Sequence, residues 1–121
     1  MATVAGGNLP PQLTEYNPGL EPLRISNYFG LARKAGLAVA GDMAAEKALK
    51  AGRVHLLVLA RDIAPHLAKE LIFLAKKYKL PLLWWPDKDS LGLAVGKSRR
   101  GALAIIDQGF STAILKLCEK E

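Results

Sequence analysis

Val54-His55-Leu56-Leu57-Val58-Leu59-Ala60 is the stretch that most narrows the folds open to this chain. Apart from His55 it is continuously apolar, with none of the alternation of a strand that turns one face to water. A strand of this kind needs cover on both faces, which points to a parallel or mixed sheet with helices on each side. The flanking sequence supplies such helices. Ile25, Tyr28, Phe29 and Ala32 share one face from Arg24 onward, with Arg33-Lys34 in the last turn and Gly36 as a stop. Leu37 to Ala40 reads as a short strand. Asp42 is expected to N-cap a second helix, Met43 to Ala51, rich in strong helix formers and ended by Gly52. Arg61-Asp62 closes the central strand, and Pro65 suits the first turn of a third helix with the stripe Leu67, Leu71, Leu74 and Tyr78. Leu80 to Trp85 is a strand stopped by Pro86. Asp87 or Ser90 caps a short helix ending at Gly96, Ala102 to Ile106 is the last strand, and Phe110 to Lys120 is the closing helix. This alternation predicts a three-layer α/β/α sandwich: a central mixed sheet of about four strands with five helices.

A chain of 121 residues is expected to hold one domain. Residues 1–22 contain four of the seven prolines (Pro10, Pro11, Pro18, Pro22) and no apolar period. They are therefore expected to form a disordered or loosely attached tail before a single domain over 23–121. The tail has two glutamates and no Lys or Arg, so residues 23–121 hold all 17 basic side chains against 9 acidic ones, a net +8. A small basic domain is a candidate for nucleic-acid binding. One cysteine, Cys118, excludes an internal disulfide and fits a reducing compartment. With no apolar run of bilayer length and no secretory leader, the expected location is the cytoplasm, with no membrane partner.

The charge concentrates in one loop, within Leu91-Gly92-Leu93-Ala94-Val95-Gly96-Lys97-Ser98-Arg99-Arg100-Gly101. Gly92 to Ser98 nearly spells a phosphate-binding P-loop but has three residues between its glycines instead of four. It also leaves a helix and enters a strand, the reverse of the order that aims a helix N-terminus at phosphate. No catalytic set emerges. His55 and His66 lack zinc-ligand spacing. Asp62 and Asp107 both follow strands, where ligands bind in open α/β sheets, but each better suits a turn or a cap. Of the adjacent Trp84 and Trp85, one should enter the core and the other lie under a helix or offer a stacking platform.

Several pieces taken in order resemble a known family. They are Tyr28-Phe29-Gly30-Leu31-Ala32-Arg33-Lys34-Ala35-Gly36; Gly41 before the second helix; Leu57-Val58-Leu59-Ala60-Arg61-Asp62; Leu91-Gly92-x-Ala94-x-Gly96 with its basic loop; and Ala102-Leu103-Ala104-Ile105-Ile106. Over residues 24–117 the chain resembles the L7Ae family of kink-turn-binding ribosomal proteins, in particular its short bacterial members. The resemblance implies the same α/β/α fold and an RNA grip built from two elements. One is Gly41, Asp42, Met43, Ala44 and Lys47 at the start of the second helix, with Arg61 at the neighbouring strand end. The other is Val95, Gly96, Lys97, Ser98, Arg99 and Arg100, with Val95 packing on an unstacked base. Typical members read sheared G·A pairs with an Asn-Glu pair where this chain has Met43 and Ala44.

The expectation is a non-enzymatic RNA-binding protein of ribosomal type, a ribosome component or an associated factor. Its partners are structured RNA, ribosomal in the first instance, and ribosomal or assembly proteins. It needs no cofactor and no metal and is a monomer when free. The alternative is a protein-interaction adaptor that kept the fold and lost kink-turn readout.

Overall fold

The computed structural model describes residues 12–121. In chain order the elements are β1 (Glu15–Asn17), α1 (Pro22–Lys34), β2 (Ala38–Ala40), α2 (Asp42–Lys50), β3 (Leu56–Ala60), α3 (Pro65–Lys77), β4 (Leu82–Trp85), α4 (Lys88–Ala94), β5 (Ala102–Ile105), α5 (Gln108–Leu117) and β6 (Glu119–Lys120). The strands form one mixed sheet in the order β2-β5-β3-β4-β1-β6. β3 lies between antiparallel β5 and parallel β4, and Leu57 sits opposite both Ala104 and Leu82.

The unbroken apolar run of β3 is buried along its whole length. Leu56, Val58 and Ala60 face Ile25, Phe29 and Ala32 of α1, Leu91 of α4 and Ile114 of α5. Leu57 and Leu59 face Ala45, Ala48 and Leu49 of α2 and Leu71, Leu74 and Ala75 of α3. Helices thus cover both faces of the sheet, as the absence of alternation requires.

Among the described residues six strands replace the expected four, and the additions are the first and last strands, β1 and β6. Glu15–Asn17, expected to be loose tail, pairs in parallel with β4. Residues 1–11 lie outside the described residues. The closing helix stops at Leu117, three residues short of its expected end, and Glu119–Lys120 pairs antiparallel with β1. The physical reason is the otherwise open edge of β4, whose backbone N–H and C=O groups need partners. Trp84 secures this edge by donating its indole Nε1–H to Glu15 Oε1 at 2.7 Å. Trp85 points into the opposite face, 4% exposed, and meets the Phe29 ring edge-on at 4.9 Å.

Candidate nucleic-acid interface

Strand direction gathers the candidate residues. β5 runs antiparallel to β2 and β3, so the ends of β2 and β3 and the start of β5 share one end of the sheet. There the Gly41 N–H donates to the Ala102 carbonyl at 2.8 Å and the Ala60 N–H to the Gly101 carbonyl at 2.9 Å. The start of α2 is thereby set beside the last residues of the α4–β5 loop. A Cβ added at Gly41 would lie 3.9 Å from Arg100 Cδ. The two elements that the sequence separates by more than fifty residues are neighbours.

Gly41 makes this possible. It is the N-cap of α2 with φ 113°, a conformation that favours glycine. Asp42 was expected in that role. It is instead the first helical residue, and among the described residues no side chain caps α2. The chain must leave β2 through a positive-φ residue, which places Gly41, not Asp42, at the boundary. On α2, Ala45, Ala48 and Leu49 are buried, while Met43, Ala44 and Lys47 form the exposed side. Met43 is 80% exposed and ends in an apolar thioether, so the start of this helix is open to solvent.

The loop is held by its own hydrogen bonds. The Lys97 N–H donates back to the Gly92 carbonyl at 2.8 Å, and the Arg100 N–H to the Lys88 carbonyl at 3.1 Å. Arg100 Nη1 donates to Ser98 Oγ at 2.9 Å and to the Arg99 carbonyl at 2.9 Å. Arg99 pairs with Asp89 across 2.9 Å on an exposed surface, where such a pair contributes little. Neither Lys47 nor Lys97 has an ion-pair partner among the described residues. Gly96, at φ 70°, follows the C-terminus of α4, so Gly-Lys-Ser leaves a helix here and enters a strand.

Two expected site residues stand elsewhere. Val95 is only 6% exposed and packs with the α1 side of the core. Its side chain is turned into the core and not to solvent, because the C-terminus of α4 leans on α1. Arg61 points the other way along the sheet. Its guanidinium pairs with the Glu121 carboxylate and lies 5.5 Å from the centre of the Trp84 ring. That ties it to the β4–β1 side, away from Gly41 and Arg100. In the other direction, no sequence signal marks Arg33 and Lys34, in the last turn of α1, as sharing a surface groove with Gly96. Only the packing of α1 on α4 brings them there.

The carboxylates act as structural acceptors. Asp62 Oδ1 takes the Lys88 N–H at 2.9 Å, and Asp107 Oδ2 takes the Phe110 N–H at 2.9 Å. They follow antiparallel strands and so lie at opposite ends of the sheet. Asp87 caps α4 by accepting the Ser90 N–H at 2.7 Å, and that bond holds its carboxyl below the ordinary carboxylate value. Burial pushes the Cys118 thiol up to about 11, so it stays protonated at neutral pH. No helix of the described residues is long and apolar enough to cross a membrane.

Comparison with known proteins agrees with this architecture. Residues 24–115 match the Ribosomal protein L7Ae/L30e/S12e/Gadd45 family. The chain is 30% identical over 90 residues to the RNA-binding protein YlxQ of Bacillus subtilis, covering 74% of this chain and 90% of YlxQ. It is 33% identical over 94 residues to the large ribosomal subunit protein eL8 of Cenarchaeum symbiosum, covering 77% and 70% of the two chains. Among solved structures, a protein with unknown function from Bacillus halodurans superposes with a TM-score of 0.73 at 30% identity, over 78% of this chain and 95% of that one. With a match that runs from within α1 to within α5, this chain belongs to the Ribosomal protein L7Ae/L30e/S12e/Gadd45 family.

Proposed function

We propose that this chain is a non-enzymatic protein that binds structured RNA at the end of its sheet where α2 begins. The start of α2 and the Lys97–Arg100 loop form the two walls of the cleft. The observation that carries this reading is the seating of Arg100 beside Gly41. It sets the N-terminal N–H groups of α2 next to a loop with three cationic side chains. A helix N-terminus and fixed cations both attract phosphate. RNA is recognised mainly by shape and at unpaired features, and a sharp bend crowds phosphates that need cations between them. The names of YlxQ and eL8 support the same reading. The finer proposal is a cytoplasmic factor, monomeric when free, that binds ribosomal RNA in the mature subunit or during its assembly.

Arg100 also braces its own loop, so Lys97→Ala and Arg99→Ala are the cleaner variants and Arg100→Ala the third. Titration of kink-turn and ribosomal RNA fragments against salt tests the proposal. Each lost phosphate contact is expected to flatten the salt slope by about 0.7 to 0.9. Binding equal to the parent in the triple variant rules the loop out.

The adaptor reading draws on one observation, the 80% exposure of Met43 at the start of α2. Pull-down with and without nuclease separates the two: partners that survive nuclease but are lost in Met43→Asp favour the adaptor.

A further inference from the structure

Helices α1 and α4 leave an open groove between them that meets the expected RNA site only at Val95 and Gly96. It runs as two joined depressions, of about 580 Å³ and 520 Å³, with Ser26, Asn27 and Ala94 common to both. The helices come close because α1 carries Gly30 at the crossing, where a Cβ would lie 3.0 Å from the Ala94 carbonyl oxygen.

Three large apolar side chains stand exposed along this groove: Leu23 at 73%, Leu31 at 55% and Leu93 at 78%. Leu23 and Leu31 lie eight residues apart on α1, with Asn27 between them on the same stripe. Leu23 and Leu93 line one depression and Leu31 the other, so exposed apolar side chains gather at this groove, as they do at interaction surfaces. One end of the groove is different. There Arg33 and Lys34 stand next to Gly96, and neither has an ion-pair partner among the described residues. Among the described residues no Asp or Glu lines either depression.

We propose that this groove docks a short peptide segment of a protein partner. The peptide's apolar side chains cover Leu23, Leu31 and Leu93, and its carboxylates meet Arg33 and Lys34. Charge placement selects a peptide over RNA. Affinity for a nucleic-acid backbone comes largely from cations set against successive phosphates. Here they stand only at one end, and the rest of the groove is uncharged. Base stacking needs an open aromatic face, and the one aromatic ring lining either depression, Trp85, is 4% exposed. Ser26 and Asn27 offer hydroxyl and amide groups to a peptide main chain. The net charge of +6 favours encounter with an acidic partner. This proposal is independent of the RNA cleft.

The test is to pan a phage-displayed library of random short peptides against the full chain. Enriched sequences are expected to combine spaced apolar residues with Asp or Glu. Synthetic copies should move the backbone amide signals of Ser26, Asn27, Ala94 and Gly96. Leu93→Asp and Lys34→Glu, both at exposed positions, should each weaken binding about tenfold or more. The Lys97→Ala, Arg99→Ala variant should keep the peptides, which separates this groove from the RNA cleft. Four results overturn the proposal: no enrichment; peptides that bind Leu93→Asp as they bind the parent; signal changes centred on Phe73 of α3; or oligouridine moving the same amides and displacing the peptide.

Discussion

Replacing Gly92 by alanine sets two physical effects against each other. Gly92 lies inside α4, and helix propensity alone favours alanine there by about 1 kcal/mol. Packing opposes it. The added Cβ would lie 2.0 Å from the Ser98 carbonyl oxygen and 2.6 Å from its carbon. Both are backbone atoms, so no side-chain rotation relieves the clash. The loop must lift from α4, which breaks the bond from the Lys97 N–H to the Gly92 carbonyl, worth about 1 kcal/mol. Overpacking strain adds about 1–3 kcal/mol. Taking about 2 kcal/mol for the strain, the balance is a loss of about 2 kcal/mol, or about 8 °C in Tm for a domain of this size. Gly96→Ala is the comparison. It meets open space but sits at φ 70°, so its cost is about 1–2 kcal/mol of backbone strain with no lifting of the loop from α4. Urea denaturation measures both variants, and the amide signals of residues 97–100 report the loop. A Gly92→Ala protein as stable as the parent, with those signals in place, would refute the argument that the loop is seated on α4 through a missing side chain.

Other outcomes follow from the same geometry. Val95→Ala should lower stability by about 2 kcal/mol through lost burial and a cavity, while RNA affinity of the folded protein stays within about twofold; a large affinity loss at unchanged stability would instead make Val95 an RNA contact. Met43→Asn with Ala44→Glu introduces the pair that typical family members carry and should raise the preference for a kink-turn over a straight duplex by about tenfold or more; competition gel shifts measure the ratio, and an unchanged ratio means that other residues of this chain prevent the readout. Asp87 has a folded pKa below its ordinary 3.8, so its contribution is fully present above that value and is lost as pH falls through the lowered one. The gap in Tm between the parent and Asp87→Ala should therefore be level near neutrality and close in acid; a gap that persists at the lowest pH where both still fold contradicts the capping role.

Local pattern was enough for the body of the sheet. β2, β3, β4 and β5 fall inside the four apolar runs read as strands, because a strand covered on both faces calls for unbroken hydrophobicity; the similar run Leu71 to Ala75 is set apart by the longer helical stripe it belongs to. Helix positions were legible for a similar reason: a period near 3.6 persists over several turns, and Asp87 and Asp107 carry the chemistry of a cap. β1 and β6, three and two residues long, are too short to show any period, and their pairing answers an open edge elsewhere in the fold.

The candidate site divides along the same line. A basic loop before the last strand, and a glycine opening the second helix, can be read from neighbouring residues alone. Which side chains reach that cleft cannot. Val95 is buried because α1 crosses the end of α4, and Arg61 is engaged because Glu121, sixty residues away in sequence, returns beside it. The groove with Leu23, Leu93 and Lys34 exists only because Gly30 lets two helices approach. Backbone periodicity is a local property, carried by nearest neighbours along the chain. Exposure and partnership are pairwise properties of residues far apart, and they acquire values only when the helices are laid on the sheet.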